Sequence, residues 1–367
     1  MSILIVNPFG IGDVLFTTPL IHTLKDAFPE GKLGFLCNKR AAPLLRNNPF
    51  INEIFIYERD DFKQLLLVSK LEWLKGFSSF IRQIKKARFD LAIDLSLSSN
   101  FGFFLWLAGI RKRIGYNYKN RGIYLTKSVK LSGYEDQHVV EYYNGLLELI
   151  GIEPKYQDLE LYLSDEDKQC AESIFKEYRI DDSFPVIALS PGGGASWGIE
   201  AKIKRWPEEK FALLVNKIIE KYKVTVIILG DLKERDLLLN IETELQCKVI
   251  NLAGRTTLTQ SAAIINKADL FIGNDGGLLH IASALKRKTI SFFGPVDPKV
   301  YGPYPPDETR HIVLRKAIEC SPCYRGFRLR PCSRRQECLK SIEVEEVLKM
   351  INILSDTRKN GYRIFTE

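Results

Sequence analysis

The chain has 367 residues, with 53 Lys+Arg against 45 Asp+Glu, a formal net charge of +8, 45% hydrophobic residues and 27% charged ones. This length exceeds one ordinary core and predicts two domains, and the composition excludes a disordered or collagenous chain. No apolar run of roughly 18 residues spans a bilayer, and the opening MSILIVNPFG lacks a charged n-region and a cleavage site, so cytoplasmic residence is expected.

In chain order, Ile3 to Val6 reads as a first strand, followed by the loop Asn7-Pro8-Phe9-Gly10-Ile11-Gly12-Asp13 and a helical pattern from Val14 to Phe28. The two glycines invite a dinucleotide-binding reading. Leu15 stands where the third glycine belongs, however, and the second strand, Lys32 to Leu36, runs into Cys37-Asn38-Lys39 with no ribose-binding acid. Asp13 is more telling. In the first turn of a helix a carboxylate is at least a cap worth about 1 kcal/mol. At the carboxyl end of a first strand it is also placed to accept a proton from a hydroxyl nucleophile.

Strands are expected at Glu53 to Tyr57 and Leu91 to Leu95, with one long helical pattern, Phe62 to Ala87, between them. The stretch FGFFLWLAGI, Phe101 to Ile110, precedes Arg111-Lys112-Arg113, Lys119 and Arg121. It reads either as a buried helix with a solvated basic edge or as a surface that docks on a lipid interface and its phosphates, in peripheral contact with a membrane. His138 to Tyr142 opens an amphipathic helix running to about Leu149 and capped by Gly151.

A polar stretch from Glu153 to Ser183 marks the linker, giving domains 1–155 and 156–345 and a C-terminal helix and tail, 346–367. A new strand, Val186 to Leu189, meets the loop Pro191-Gly192-Gly193-Gly194-Ala195-Ser196, and Lys204-Arg205-Trp206-Pro207 leads into a helix. A glycine-rich loop after a strand, with a lysine nearby, suits a diphosphate, although no Gly-Lys-Ser/Thr closes it as a Walker A motif. Further elements are expected at Val224–Leu229, Leu232–Leu245, Lys248–Leu252 and Thr259–Ala268. The segment Phe271 to Pro295, FIGNDGGLLHIASALKRKTISFFGP, then reads as strand, turn, helix, strand, with a last helix near Val344 to Ile353. Gly276 and Gly277 sit where its helix begins, offering free N–H groups to an anion, and His280 adds a donor on the first turn; the plainer reading is a tight βα turn with a buried histidine. Alternating strands and helices argue for parallel sheets in an α/β protein, with two Rossmann-like domains facing across a cleft.

Cys320, Cys323, Cys332 and Cys338 form C-x2-C-x8-C-x5-C. They fit a structural zinc, reduced thiols in a packed loop, or two disulfides. Nucleic acid is not an expected partner, because only the net charge favours it.

Several of these segments are similar to glycosyltransferase family 9, the ADP-heptose:lipopolysaccharide heptosyltransferases: Gly12-Asp13-Val14 with Thr17-Thr18-Pro19-Leu20, His138 to Tyr142, Pro191-Gly192 to Trp206-Pro207, and Asn274-Asp275-Gly276-Gly277-Leu278-Leu279-His280 continuing to Phe293-Gly294-Pro295 and Asp297-Pro298. The resemblance implies a GT-B fold and inverting, metal-independent transfer of a heptose from ADP-heptose to a phosphorylated glycolipid of the lipopolysaccharide inner core. It implies Asp13 as general base and Lys204 on the donor diphosphate, with no cofactor required for catalysis. Gly12, Ser196, Asp275, Gly276, Gly277, Leu278 and His280 are the expected substrate-binding set. Gly276 departs from the family's more usual threonine, which leaves open another nucleotide-sugar or acceptor, or a non-catalytic glycolipid- or nucleotide-binding homologue. Several members carry a comparable cysteine cluster. The implied place of action is the cytoplasm, with peripheral contact at the cytoplasmic face of the inner membrane.

Overall fold

A computed structural model describes residues 1–181, 183–193 and 195–356, the side chains at 195, 196, 199, 355 and 356 excepted. The chain divides into two compact units, Met1–Gln157 and Asp158–Glu367. Each is built on a six-stranded sheet whose strand pairs are all parallel.

The first sheet comprises β1 (Ser2–Val6), β2 (Lys32–Cys37), β3 (Glu53–Ile56), β4 (Leu91–Asp94), β5 (Lys112–Tyr118) and β6 (Lys127–Leu131), in the order β3-β2-β1-β4-β5-β6. Ile3, Leu4, Ile5 and Val6 are all buried, as a central parallel strand covered on both faces requires. The basic run is not a solvated edge of the preceding helix. Lys112 and Arg113 open β5, whose Ile114, Tyr116 and Tyr118 are buried, and the approach to β4 is so close that a Cβ on Gly115 would lie 2.3 Å from the Asp94 carbonyl oxygen. β6 is an exposed edge strand carrying Lys127 and Lys130, charges that discourage pairing with another chain. Sequence periodicity misses both strands because charge and polarity mask their alternation.

Two expected helices are each divided. The first becomes Ile11–Leu15 and Thr18–Ala27, the second having Pro19 in its opening turn. The second becomes Arg59–Val68 and Lys70–Ala87, because Ser69 is extended (φ −169°) and its Oγ accepts the Glu72 N–H at 3.0 Å, starting a new helix. The apolar stretch forms the helix Ser99–Leu107, with Phe101 and Leu105 buried in one core with Phe80, Ile84 and Ile110. The stretch is thus partly core, while Trp106 remains 53% exposed.

The second sheet comprises β7 (Val186–Ser190), β8 (Thr225–Ile228), β9 (Ile250–Asn251), β10 (Leu270–Asn274), β11 (Lys288–Phe292) and β12 (His311–Leu314), in the order β12-β11-β10-β7-β8-β9. Its core is anchored by Trp206, which stacks on Phe292 at 4.4 Å and donates its indole N–H to the Ile342 carbonyl at 3.0 Å. The last helix, Val344–Asp356, buries Val347, Ile351 and Leu354 in the same core.

Counted within each unit, both sheets follow the order 3-2-1-4-5-6. Strand direction of travel reverses between β1 and β4 in the first unit and between β7 and β10 in the second. Loops leaving the carboxyl ends at such a reversal are where open α/β sheets bind ligands. Among the described residues no helix is long and apolar enough to cross a membrane.

Candidate functional site

In the second unit the loops after β7 and β10 meet. Asn274, the last residue of β10, is buried; its Oδ1 accepts the Trp206 N–H at 2.8 Å and its Nδ2 donates to the carbonyls of Pro191 and Gly192 at 2.7 and 3.2 Å. One amide side chain thus ties the glycine-rich loop to the segment carrying Lys204. We expect Asn274→Ala to lower stability by about 1–3 kcal/mol for each backbone group left unsatisfied. Urea unfolding measures this, and an unchanged midpoint would show that water replaces the amide.

The next residue, Asp275, meets the Lys204 ammonium at 2.6 Å, both side chains 7% exposed, while His280 Nε2 stands 3.8 Å from the other carboxylate oxygen. Burial pushes the Asp275 carboxyl up, but Lys204 and then His280 outweigh it and hold the group below its ordinary value. Lys204 also lies 4.6 Å over the Trp197 ring. An ammonium has three donors and Asp275 takes one direction, so the lysine is held in place with donors to spare.

Asp275 is followed by the helix Gly277–Ala284, whose N-cap, Gly276, provides no side-chain hydrogen bond. Gly276 is extended (φ −168°), a conformation open to any residue, so its glycine acts by lacking a side chain rather than by backbone freedom. Leu278 lies in the first turn. His280 is buried against Asp275. Ser196 lies outside the described side chains.

Glu234 braces this loop. Its carboxylate accepts the Asp231 N–H at 3.0 Å and stands 3.7 Å from Arg205. Gly192 passes so close that a Cβ there would fall 2.0 Å from the carboxylate, which explains the need for glycine at that position.

In the first unit Asp13 is the third residue of the helix Ile11–Leu15, and its Oδ2 accepts the Gly10 N–H at 3.0 Å. Gly12 lies in the same turn. Buried Asn7 donates to the Asp13 carbonyl at 3.0 Å and to Thr17 Oγ1 at 3.1 Å, fixing the turn at the end of β1. The phenol of Tyr134 is raised well above its usual value, by burial first and then by charges that include Asp13, so it lies within electrostatic reach of that carboxylate. His138 caps the helix Val139–Gly145, its Nδ1 accepting the Val140 N–H at 3.2 Å, and its ring meets Phe16 edge-on at 4.8 Å.

Sequence reasoning passes over Asp94, which pairs in register with Val6 at the same reversal. Burial pushes its carboxyl up to about 6, partly countered by the Ser96 hydroxyl and N–H. An acid terminating the fourth apolar strand was the available signal.

All four clustered cysteines are free, and they share one neighbourhood. Cys338 is pushed up to about 11, by burial first and then by Cys323, Cys332 and Cys320. A hairpin of β13 (Tyr324–Arg325) and β14 (Arg328–Leu329) lies between them, and Tyr324 meets Trp197 at 5.0 Å, backing the lysine-bearing segment. Among the described residues no three His, Cys, Asp or Glu side chains are grouped so as to hold a metal ion.

Two doubly wound units, one presenting a glycine-rich loop, a buried lysine and an open helix start at its switch point, define the GT-B class of nucleotide-sugar transferases. The model for glycosyltransferase family 9 (heptosyltransferase) matches residues 77–331, and the chain belongs to that family. It is 26% identical over 301 residues to lipopolysaccharide heptosyltransferase 3 of Escherichia coli K12, covering 80% of this chain and 82% of that one. Among solved structures, a family 9 glycosyl transferase from Veillonella parvula superposes with TM-score 0.81 at 20% identity, over 96% of this chain and 97% of that one. The ADP-heptose lps heptosyltransferase II of E. coli superposes with TM-score 0.73 at 23% identity, over 96% and 98%.

Proposed function

We propose that the chain transfers a heptose from ADP-heptose to a lipopolysaccharide inner-core acceptor, in the cytoplasm, by a single inverting displacement without a metal ion. The observation that carries this reading is the buried Lys204–Asp275 pair beside the Gly277 helix start, at the switch point where α/β sheets hold ligands. A buried lysine positioned by its own carboxylate partner, next to uncapped helix N–H groups, suits a diphosphate leaving group. Family membership and the heptosyltransferase relatives supply the sugar and the acceptor class.

In this scheme the acceptor hydroxyl gives its proton to Asp13 as its oxygen bonds to the anomeric carbon. The bond from that carbon to the diphosphate oxygen breaks, and the leaving ADP keeps the electron pair. Lys204 and the helix start stabilise the charge that develops on it. Attack from the face opposite the leaving group inverts the anomeric configuration.

Isothermal titration against ADP, UDP, GDP and CMP, then turnover with ADP-heptose in EDTA, tests the proposal. Selective ADP binding, EDTA-resistant transfer and an inverted anomer by NMR are expected. A preference for UDP or GDP would keep the GT-B enzyme and discard the heptose; loss of transfer in EDTA would overturn the metal-free scheme.

A further inference from the structure

The helices Arg59–Val68 and Lys70–Ala87 form an antiparallel hairpin that leaves the carboxyl end of β3, the same sheet edge that carries Asp13. One face is anchored: Phe62 meets Phe80 at 5.9 Å, Phe77 meets Phe104 at 5.0 Å, and Leu65 lies close enough to Gly76 that a Cβ there would be 2.8 Å away. The corner is different. Leu66, Leu67, Val68, Leu71 and Leu74 are all exposed, Leu67 by 86% and Val68 by 74%. Single exposed leucines are ordinary, but five at one turn form an apolar tip.

Ring contacts extend the tip across the unit. Trp73 stacks on Phe77 at 5.1 Å, Phe77 meets Phe104 of the helix Ser99–Leu107, and Trp106 of that helix meets Tyr124 at 6.2 Å. Beside Tyr124, Ile123 is 71% exposed, and Trp106 is 53% exposed. Charge is mixed on the hairpin, where Asp60, Asp61 and Glu72 accompany Arg59, Lys63, Lys70 and Lys75, but of one sign beyond it. From Leu95 to Tyr134 there are seven Lys and Arg and no Asp or Glu. Of the seven, Arg111, Lys112, Lys119, Arg121, Lys127 and Lys130 are exposed.

We propose that this face, from the Leu66–Leu74 corner through Trp106 and Ile123, docks on an anionic lipid bilayer. Aliphatic and aromatic side chains enter the interface while the surrounding bases meet headgroup phosphates. The acid-free stretch from Arg111 to Lys130 favours an anionic bilayer over a second copy, because two copies of this face would bring those like charges together. The inference deepens the reading of a glycolipid acceptor by placing the edge that carries Asp13 at the leaflet where such an acceptor resides, and its first test needs no substrate.

The test is flotation of the full chain with phosphatidylcholine vesicles, with and without phosphatidylglycerol, at low and physiological salt. The wild type floats only with the anionic vesicles and less well as salt rises. Leu67→Asp with Leu71→Asp abolishes flotation, and Arg111→Glu with Lys112→Glu lowers partitioning by about 25-fold or more. The leucine variant, exposed and folded by circular dichroism, keeps its rate on acceptor in detergent and loses it on acceptor in vesicles. No wild-type flotation, equal flotation of the leucine variant, or a dimer abolished by that variant without lipid binding would each overturn the proposal. Flotation without heptose transfer would retain the docking face and reject the proposed function instead.

Discussion

Asp13→Asn is expected to lower the rate of transfer by roughly 10²–10⁴-fold, the range a positioned general base contributes, while leaving nucleotide-sugar affinity nearly unchanged. The substitution is chosen for its geometry. The Asp13 carboxylate accepts the Gly10 N–H, and the Asn carbonyl oxygen can accept the same bond, so the turn after β1 is preserved. Asn7 holds that turn through the Asp13 backbone carbonyl, which the substitution does not touch. Single-turnover rates with saturating donor, beside ADP titration, separate chemistry from binding. A wild-type rate would reduce Asp13 to a helix cap.

Lys204→Ala is expected to act twice. It removes a donor to the diphosphate, weakening nucleotide-sugar binding by roughly ten- to a hundredfold. It also strands Asp275, a carboxylate only 7% exposed, at a stability cost of roughly 3–5 kcal/mol. The double variant Lys204→Ala/Asp275→Asn separates the two effects: stability returns, because no buried charge is orphaned, but transfer does not. Recovery of transfer as well would make the lysine only a counter-ion. The pair also sets a pH signature. Asp275 lies below its ordinary value in the folded chain, so its contribution to stability is present above the ordinary carboxylate range and is lost as pH falls through the depressed value. In the single lysine variant the cation that depresses Asp275 is gone, so the stability deficit against the wild type should narrow as pH falls and the stranded carboxylate is protonated.

Much of the donor side was legible in the chain itself. The apolar runs Val186–Leu189, Leu270–Ile272 and Thr289–Phe293 mark buried parallel strands, because a strand covered on both faces admits few polar residues. The glycines after them mark close backbone approach. What periodicity could not show was β5 and β6, whose strands carry Lys and Arg, or β12, a four-residue strand following a Pro-rich loop. The break at Ser69 was hidden because apolar spacing continues straight through it.

The sequence by itself determined the alternating α/β class, the family, and the residues at the ends of the first and tenth strands, because local patterns of apolarity, glycine and acid encode them. Only the tertiary structure decided the partners. Asn274 reaches Pro191 and Gly192, 83 and 82 residues away, Lys204 folds against Asp275, and Glu234 braces the Gly192 loop. It also split the Phe101–Ile110 stretch, whose Phe101 and Leu105 the core absorbs while Trp106 stays exposed, and it exposed the apolar corner at Leu66–Leu74. Burial is a property of what packs against a segment, and no local pattern contains that information.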